Sequence, residues 1–155
     1  MDIAPLVQAM QTLNAEDAFR ARLTLDQWRI IAPYLTRHEI RSGDLLIKQG
    51  DADRSMYFLA QGSLQVFVTG GPPGSSRIAI LRTGSVVGEP GLFNDGPRMA
   101  NVEAMTACEV WALRGPRLEE LVQRNPALAL ELLRAAGNVM AVRMRANLAK
   151  QTPFT

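Results

Sequence analysis

The chain has 155 residues, 47% of them hydrophobic and 21% charged, and its 17 basic and 15 acidic side chains leave a net charge of +2. This length suits one ordinary domain with a real core and leaves no room for a second of normal size. A single cysteine, Cys108, excludes an internal disulfide, and a single histidine, His38, falls short of the histidine cluster that a metal-dependent β-barrel enzyme needs. No run of eighteen apolar residues and no basic-then-apolar leader occurs, so the expectation is a cytoplasmic protein, neither secreted nor membrane-spanning. Fifteen arginines against two lysines are spread from Arg20 to Arg145 without a dense block. They read as solvated helix-face residues rather than as a nucleic-acid patch.

Residues 1–35 have a helical pattern. Ile3, Leu6, Val7, Met10 and Leu13 mark a short helix that ends at the polar break Asn14–Asp17. Thr24-Leu25-Asp26-Gln27 has capping-box spacing, in which the Thr hydroxyl and the Gln amide satisfy each other's backbone donors at a helix start. The helix it opens carries Trp28, Ile30 and Ile31 before Pro33. From Thr36 the period becomes alternating, and turn signals recur at Ser42-Gly43-Asp44, Gly50-Asp51, Gln61-Gly62, Gly70 to Gly74, Gly84 and Asp95-Gly96-Pro97. Strands are expected at Leu45–Ile47, Met56–Leu59, Leu64–Val68, Ile78–Leu81, Met99–Met105 and Val110–Leu113. Cys108 is expected in that last strand region as a buried thiol. With no helices between them, strands this short imply a jelly-roll-like antiparallel β-barrel over residues 36–113, in an α+β chain. Residues 70–76, Gly-Gly-Pro-Pro-Gly-Ser-Ser, read as a hairpin tip.

Helical periodicity returns over residues 116–150, with one helix from Pro116 to Arg124 and a longer one capped by Asn125 and opened by Pro126. The long helix carries one apolar stripe of Leu128, Leu132, Ala135, Val139, Val142 and Ala146, and a second of Leu133, Met140 and Met144. The barrel covers one face, and a second copy of the same helix is the natural cover for the other, so residues 128–149 are expected to form a parallel homodimer. Gly137 costs about 1 kcal/mol mid-helix, which fits a kink, a close crossing or a hinge.

Chemistry concentrates between Gly88 and Val102, which reads Gly-Glu-Pro-Gly-Leu-Phe-Asn-Asp-Gly-Pro-Arg-Met-Ala-Asn-Val. Glu89 and Pro90 open a helical turn, so the N–H groups beginning at Gly91 are expected to be unpaired. The turn Asn94-Asp95-Gly96-Pro97 folds the chain back and lets the Arg98 fork reach the same spot. A carboxylate can only accept, as a hydroxyl donor requires, and a guanidinium can chelate two phosphate oxygens.

This stretch resembles the phosphate-binding cassette of cyclic-nucleotide-binding domains, the sensor module of the catabolite activator protein and of protein kinase A regulatory subunits. Turn glycines at 43, 50, 62 and 84 and the run Tyr57-Phe58-Leu59-Ala60-Gln61-Gly62 extend the likeness from Ile40 to about Ala149. The resemblance implies that Glu89 takes the ribose 2′-hydroxyl, and that Arg98 and the Gly91 backbone take the cyclic phosphate. Gly88, Pro90, Leu92, Met99 and Ala100 would line the same site. Met99 departs from the small or hydroxyl residue usual after the Arg, and would either point into the core or narrow the pocket. By position, Arg143 and Met144 replace the hydroxyl pair that contacts adenine in the activator protein. Arg143 could instead cover the base or read a guanine edge, or stand simply as a solvent-exposed helix residue.

Read this way, residues 1–155 are one regulatory, non-enzymatic sensor of cyclic AMP or cyclic GMP that signals by movement of the long helix, with no metal and no cofactor beyond that ligand. The chain as given has no helix-turn-helix after the long helix, so no direct DNA binding is expected of it. The alternatives are a nucleotide-free dimeric scaffold with a degenerate pocket, in which Glu89 and Arg98 form only an internal ion pair, and a cyclic-dinucleotide sensor.

Overall fold

The computed structural model of the chain describes residues 2–71 and 77–151. Two helices come first, α1 (Ala4–Thr12) and α2 (Leu25–Ile31), the second running into a 3-10 turn, Ala32–Tyr34. Eight strands follow: β1 (Leu35–Ile40), β2 (Leu45–Ile47), β3 (Met56–Gln61), β4 (Leu64–Phe67), β5 (Arg77–Leu81), β6 (Val86–Val87), β7 (Asn101–Ala104) and β8 (Cys108–Leu113). Helices α3 (Gly115–Arg124) and α4 (Pro126–Gln151) close the order. The strands form two antiparallel four-stranded sheets, β1-β8-β3-β6 and β2-β7-β4-β5, the expected jelly-roll-like arrangement flanked by N-terminal helices and a long C-terminal helix.

Strand alternation gives the first sheet a different core on each face. Met56, Phe58 and Ala60 of β3, with Trp111 and Leu113 of β8, join the helical core of Ile3, Leu6, Ile31, Leu121 and Leu132. Their neighbours Tyr57, Leu59, Val110 and Ala112 point the other way and meet Ile47, Leu64, Leu81 and Val102 of the second sheet. A strand buried on both faces needs a continuous apolar run, and this is why β3 reads Met-Tyr-Phe-Leu-Ala without polar interruption. At the helical end, Phe58 meets Phe19 edge-on at 5.3 Å and Trp28 edge-on at 5.9 Å between ring centroids.

The capping box forms as read, with Thr24 Oγ1 accepting from the Gln27 N–H at 3.1 Å and Gln27 Oε1 from the Thr24 N–H at 2.8 Å. Cys108 is buried on β8. β6 is a two-residue strand between Gly84 and Gly88, too short to carry a period. The strand expected from Met99 begins only at Asn101, because backbone bonds first tie Arg98 to the preceding loop: the Arg98 N–H donates to Asp51 O and the Gly50 N–H to Arg98 O, both at 2.8 Å. The hairpin tip expected at residues 70–76 falls largely outside the described residues.

Along α4, Leu128, Leu132, Ala135 and Val139 are buried as one stripe, but Val142 is only half-buried and Ala146 is exposed. The helix simply outruns the barrel, and Val139 is its last buried residue. Leu133 and Met140 of the second stripe are half-buried, and Met144 is exposed. A methyl added at Gly137 would lie an ordinary 3.9 Å from Phe93 Cζ, so the contact there is with that ring and is not the close helix crossing expected.

Phe58→Ala would remove the ring that joins α2, residue 19 and β3, and is expected to cost about 3–5 kcal/mol of stability, read as a lower urea midpoint. A loss below about 1 kcal/mol would mean that this aromatic cluster is not central to the core.

Candidate functional site

The cassette begins with a backbone demand. Gly88 has φ +82°, the left-handed region that glycine enters without strain, and this turns the chain from β6 into a 3-10 turn over Glu89–Leu92. Pro90 occupies the start of that turn, where no N–H is lost. The expectation of a free N–H at Gly91 is corrected: that group donates to Gly88 O at 3.1 Å and closes the turn. The turn is 3-10, so its hydrogen bond reaches one residue less far than in an α-helix and uses the donor that an α-helical start would leave open. What Gly91 provides is clearance. A methyl there would stand 2.9 Å from Arg98 Nη1 and 3.0 Å from Asp53 O.

Past the cassette turn, Asn94 Oδ1 accepts from the Gly96 N–H at 2.9 Å and folds the chain back as expected. Arg98 then enters the fold with its side chain 7% exposed. Nη1 donates to Gly88 O at 2.9 Å, Nη2 donates to Ser55 O, and Asp53 Oδ2 lies 3.4 Å from Nη2. Arg98 Nε is buried without a hydrogen-bond partner. A buried cationic donor left open is costly, and an anion's oxygen is the acceptor that suits it best.

Glu89 is only 4% exposed. Its partner is Arg143, which reaches back from α4 and donates from Nη1 to Glu89 Oε1 at 2.6 Å. The same fork donates from Nε to Asp17 Oδ2 at 2.9 Å and from Nη2 to Val86 O at 2.8 Å. Burial pushes the Glu89 carboxyl above its ordinary value of 4.5, and the charges of Arg143 and Arg98 pull it back only in part. The close ion pair therefore does not make ionised Glu89 comfortable, because desolvation outweighs it.

Gly88, Glu89, Pro90, Gly91, Leu92 and Arg98 thus converge, and Arg143 joins them from α4. Its fork is engaged by two carboxylates and a carbonyl, whereas the sequence reading left it either against a base or exposed to solvent. Met99 does not point into the core, being 87% exposed, and Ala100 is half-buried beside it. The pairing of Arg98 with the preceding loop aims the next side chain outward. Sequence reasoning missed Asp17, Asp53 and Ser55. The acidic run Asp51-Ala52-Asp53 hinted at a cationic neighbour, but Ser55 acts through its carbonyl, which no residue type announces. Among the described residues no group of histidine, cysteine, aspartate and glutamate could hold a metal, and no helix is long and apolar enough to cross a membrane.

Residues 37–125 match the family profile described as "Cyclic nucleotide-binding domain". The cAMP-activated global transcriptional regulator CRP of Salmonella typhimurium is 33% identical over 96 residues, which cover 61% of this chain and 46% of that protein. The chain therefore spans about half the length of such curated relatives. Among solved structures, a cyclic nucleotide-binding domain from Methylobacillus flagellatus superposes with a TM-score of 0.81 at 17% identity, over 99% of this chain and 84% of that one. Thermus thermophilus catabolite activator protein superposes at 0.70 with 26% identity, over 84% and 59%.

The raised Glu89 pKa fixes a sign for stability. Protonated Glu89 suits the fold better than ionised Glu89, so its contribution is fully present below 4.5 and is lost as pH rises through the raised folded value. Glu89→Gln cannot ionise and escapes that loss. Urea denaturation at about pH 4 and about pH 7.5 is expected to show the wild type losing stability relative to the variant as pH rises. A relative gain would contradict the burial assigned to this carboxyl.

Proposed function

The chain belongs to the cyclic nucleotide-binding domain family, and from that premise we propose that residues 1–155 act as one regulatory, non-enzymatic sensor of a purine cyclic mononucleotide, cyclic AMP or cyclic GMP. The observation that carries this reading is Arg98, a buried guanidinium with an unpartnered Nε beside two side-chain-free residues, Gly88 and Gly91. The cyclic phosphate takes Arg98, with Gly91 giving it room, and the ribose 2′-hydroxyl takes Glu89. Pro90 and Leu92 hold the turn's shape. A phosphate carries two oxygens for one guanidinium, so it satisfies Nε and replaces the weak 3.4 Å pairing with Asp53. One curated relative is named a cAMP-activated transcriptional regulator and one solved neighbour a catabolite activator protein, which supports a regulatory role over a catalytic one.

The output is a shift of α4 against the barrel, biased by whatever occupies Glu89 and Arg98. The working form is a homodimer in the cytoplasm. Beyond the barrel, α4 leaves Met144 and Leu148 exposed at 61% and 52%, with Leu130 at 67% further up the helix, an apolar surface that suits a second copy of the helix. The rival reading, a nucleotide-free scaffold, draws on Arg143 already holding Glu89.

Isothermal titration with cyclic AMP and cyclic GMP is expected to give binding to at least one, and Arg98→Ala to weaken it by roughly 2–5 kcal/mol. No heat with either nucleotide would favour the scaffold, and equal binding by the variant would remove Arg98 from the site. Separately, Met144→Glu combined with Leu148→Glu is expected to turn a dimer into a monomer in analytical ultracentrifugation. An unchanged association state would place the interface elsewhere.

A further inference from the structure

We infer that Arg143 is a latch: it ties the distal part of α4 to the cassette by holding Glu89, and a ribose hydroxyl must displace it to bind. This rests on the reading of the chain as a cyclic-nucleotide sensor, and deepens it by naming the contact through which ligand and helix exchange force.

Two observations carry it. α4 has no buried residue after Val139, residues 144–150 are exposed, and the long-range side-chain hydrogen bonds described from this part of the helix come from Arg143. Its three donors reach three separate parts of the fold: Glu89 in the cassette, Val86 O in β6, and Asp17 in the segment between α1 and α2. Glu89 meanwhile is 4% exposed and accepts through Oε1 from Arg143, so the carboxylate is already occupied by a donor. A ribose hydroxyl is also a donor, and although a carboxylate has two oxygens, a buried one that holds the Arg143 fork leaves it little room. The two compete for one acceptor, and linkage makes the competition reciprocal: ligand at Glu89 loosens the helix, and a held helix weakens the ligand.

The charged groups around Glu89 are Arg143 from α4 and Arg98 from beyond the cassette turn, with Asp17 behind the first and Asp53 behind the second. Removing Arg143 leaves Glu89 more prone to protonation, so the comparison is made at about pH 8, which favours the ionised carboxylate.

The test compares wild type with Arg143→Met by titration with cyclic AMP and with 2′-deoxy cyclic AMP. The expected result is cyclic AMP binding about ten-fold tighter to the variant, with the deoxy analogue, which makes no demand on Glu89, bound equally by both proteins. A side chain that merely supported the site would give the opposite sign. Cyclic AMP bound no tighter by the variant, or a gain shared by the deoxy analogue, overturns the latch. Arg143→Lys keeps the charge without the three-way fork, is expected between the two, and serves if the Met variant does not fold. Amide exchange over residues 140–151 without ligand supplies the independent arm: faster exchange in Arg143→Met supports the latch, and unchanged exchange overturns it. If neither nucleotide binds wild type, the sensor reading fails, and this arm alone decides the latch.

Discussion

A carboxylate on a side chain only 6% exposed to water is expensive unless other groups stabilise its charge, and Glu89 determines much of what surrounds it. Its place follows from backbone geometry, because left-handed Gly88 and Pro90 tuck the residue between them under the fold. Once there, it needs a cation, and the cation comes from α4, 54 residues further on. The apolar stripe from Leu128 to Val139 lays α4 on the barrel, and Arg143 meets Glu89 one turn beyond it. The need for a cation explains why α4 is anchored well past Val139, its last apolar anchor, and why Asp17 and Val86 O are drawn into the same cluster.

The two arginines at this site behave differently for a physical reason. Arg143 is 23% exposed at its side chain and has each nitrogen of its fork engaged, so it is satisfied as it stands. Arg98 is 7% exposed, relies on two carbonyls and a longer contact to Asp53, and still leaves Nε without an acceptor. Carbonyls can take its hydrogen bonds but cannot neutralise its charge. Of the two, Arg98 has the open donor that an anion's oxygen would suit, and Arg143 has none.

Much of this was legible in the sequence where local rules dominate. The capping box at Thr24 and Gln27, the doubly buried run of β3, the return from Asn94 to Arg98, and the pairing of Gly88 with Glu89 and Pro90 are each decided within a few residues. What escaped was set by longer-range contacts. Met99 faces solvent because Arg98 pairs its backbone with Gly50 and Asp51, a register that strand alternation could not foresee. The Gly91 N–H is used because the turn is 3-10 rather than α, a difference of one residue in hydrogen-bond reach. The apolar pattern of α4 continues to Ala146, yet burial stops at Val139, since periodicity records a helix face without saying where the barrel ends.

The same limit explains why Arg143 read as a base contact or an exposed residue and folds as a carboxylate partner. Its position in the sequence fixes its place along α4, but a guanidinium goes where negative charge is least hydrated. Two carboxylates lie within reach, Asp17 partly exposed and Glu89 buried, and the buried one gains more from a cation because water screens it less. Because its carboxyl still lies above its ordinary pKa, the hold is real but incompletely stabilising. Exchanging Arg143 for a neutral hydroxyl takes a cation away from that buried carboxylate, so a ligand's other contacts have to supply the difference.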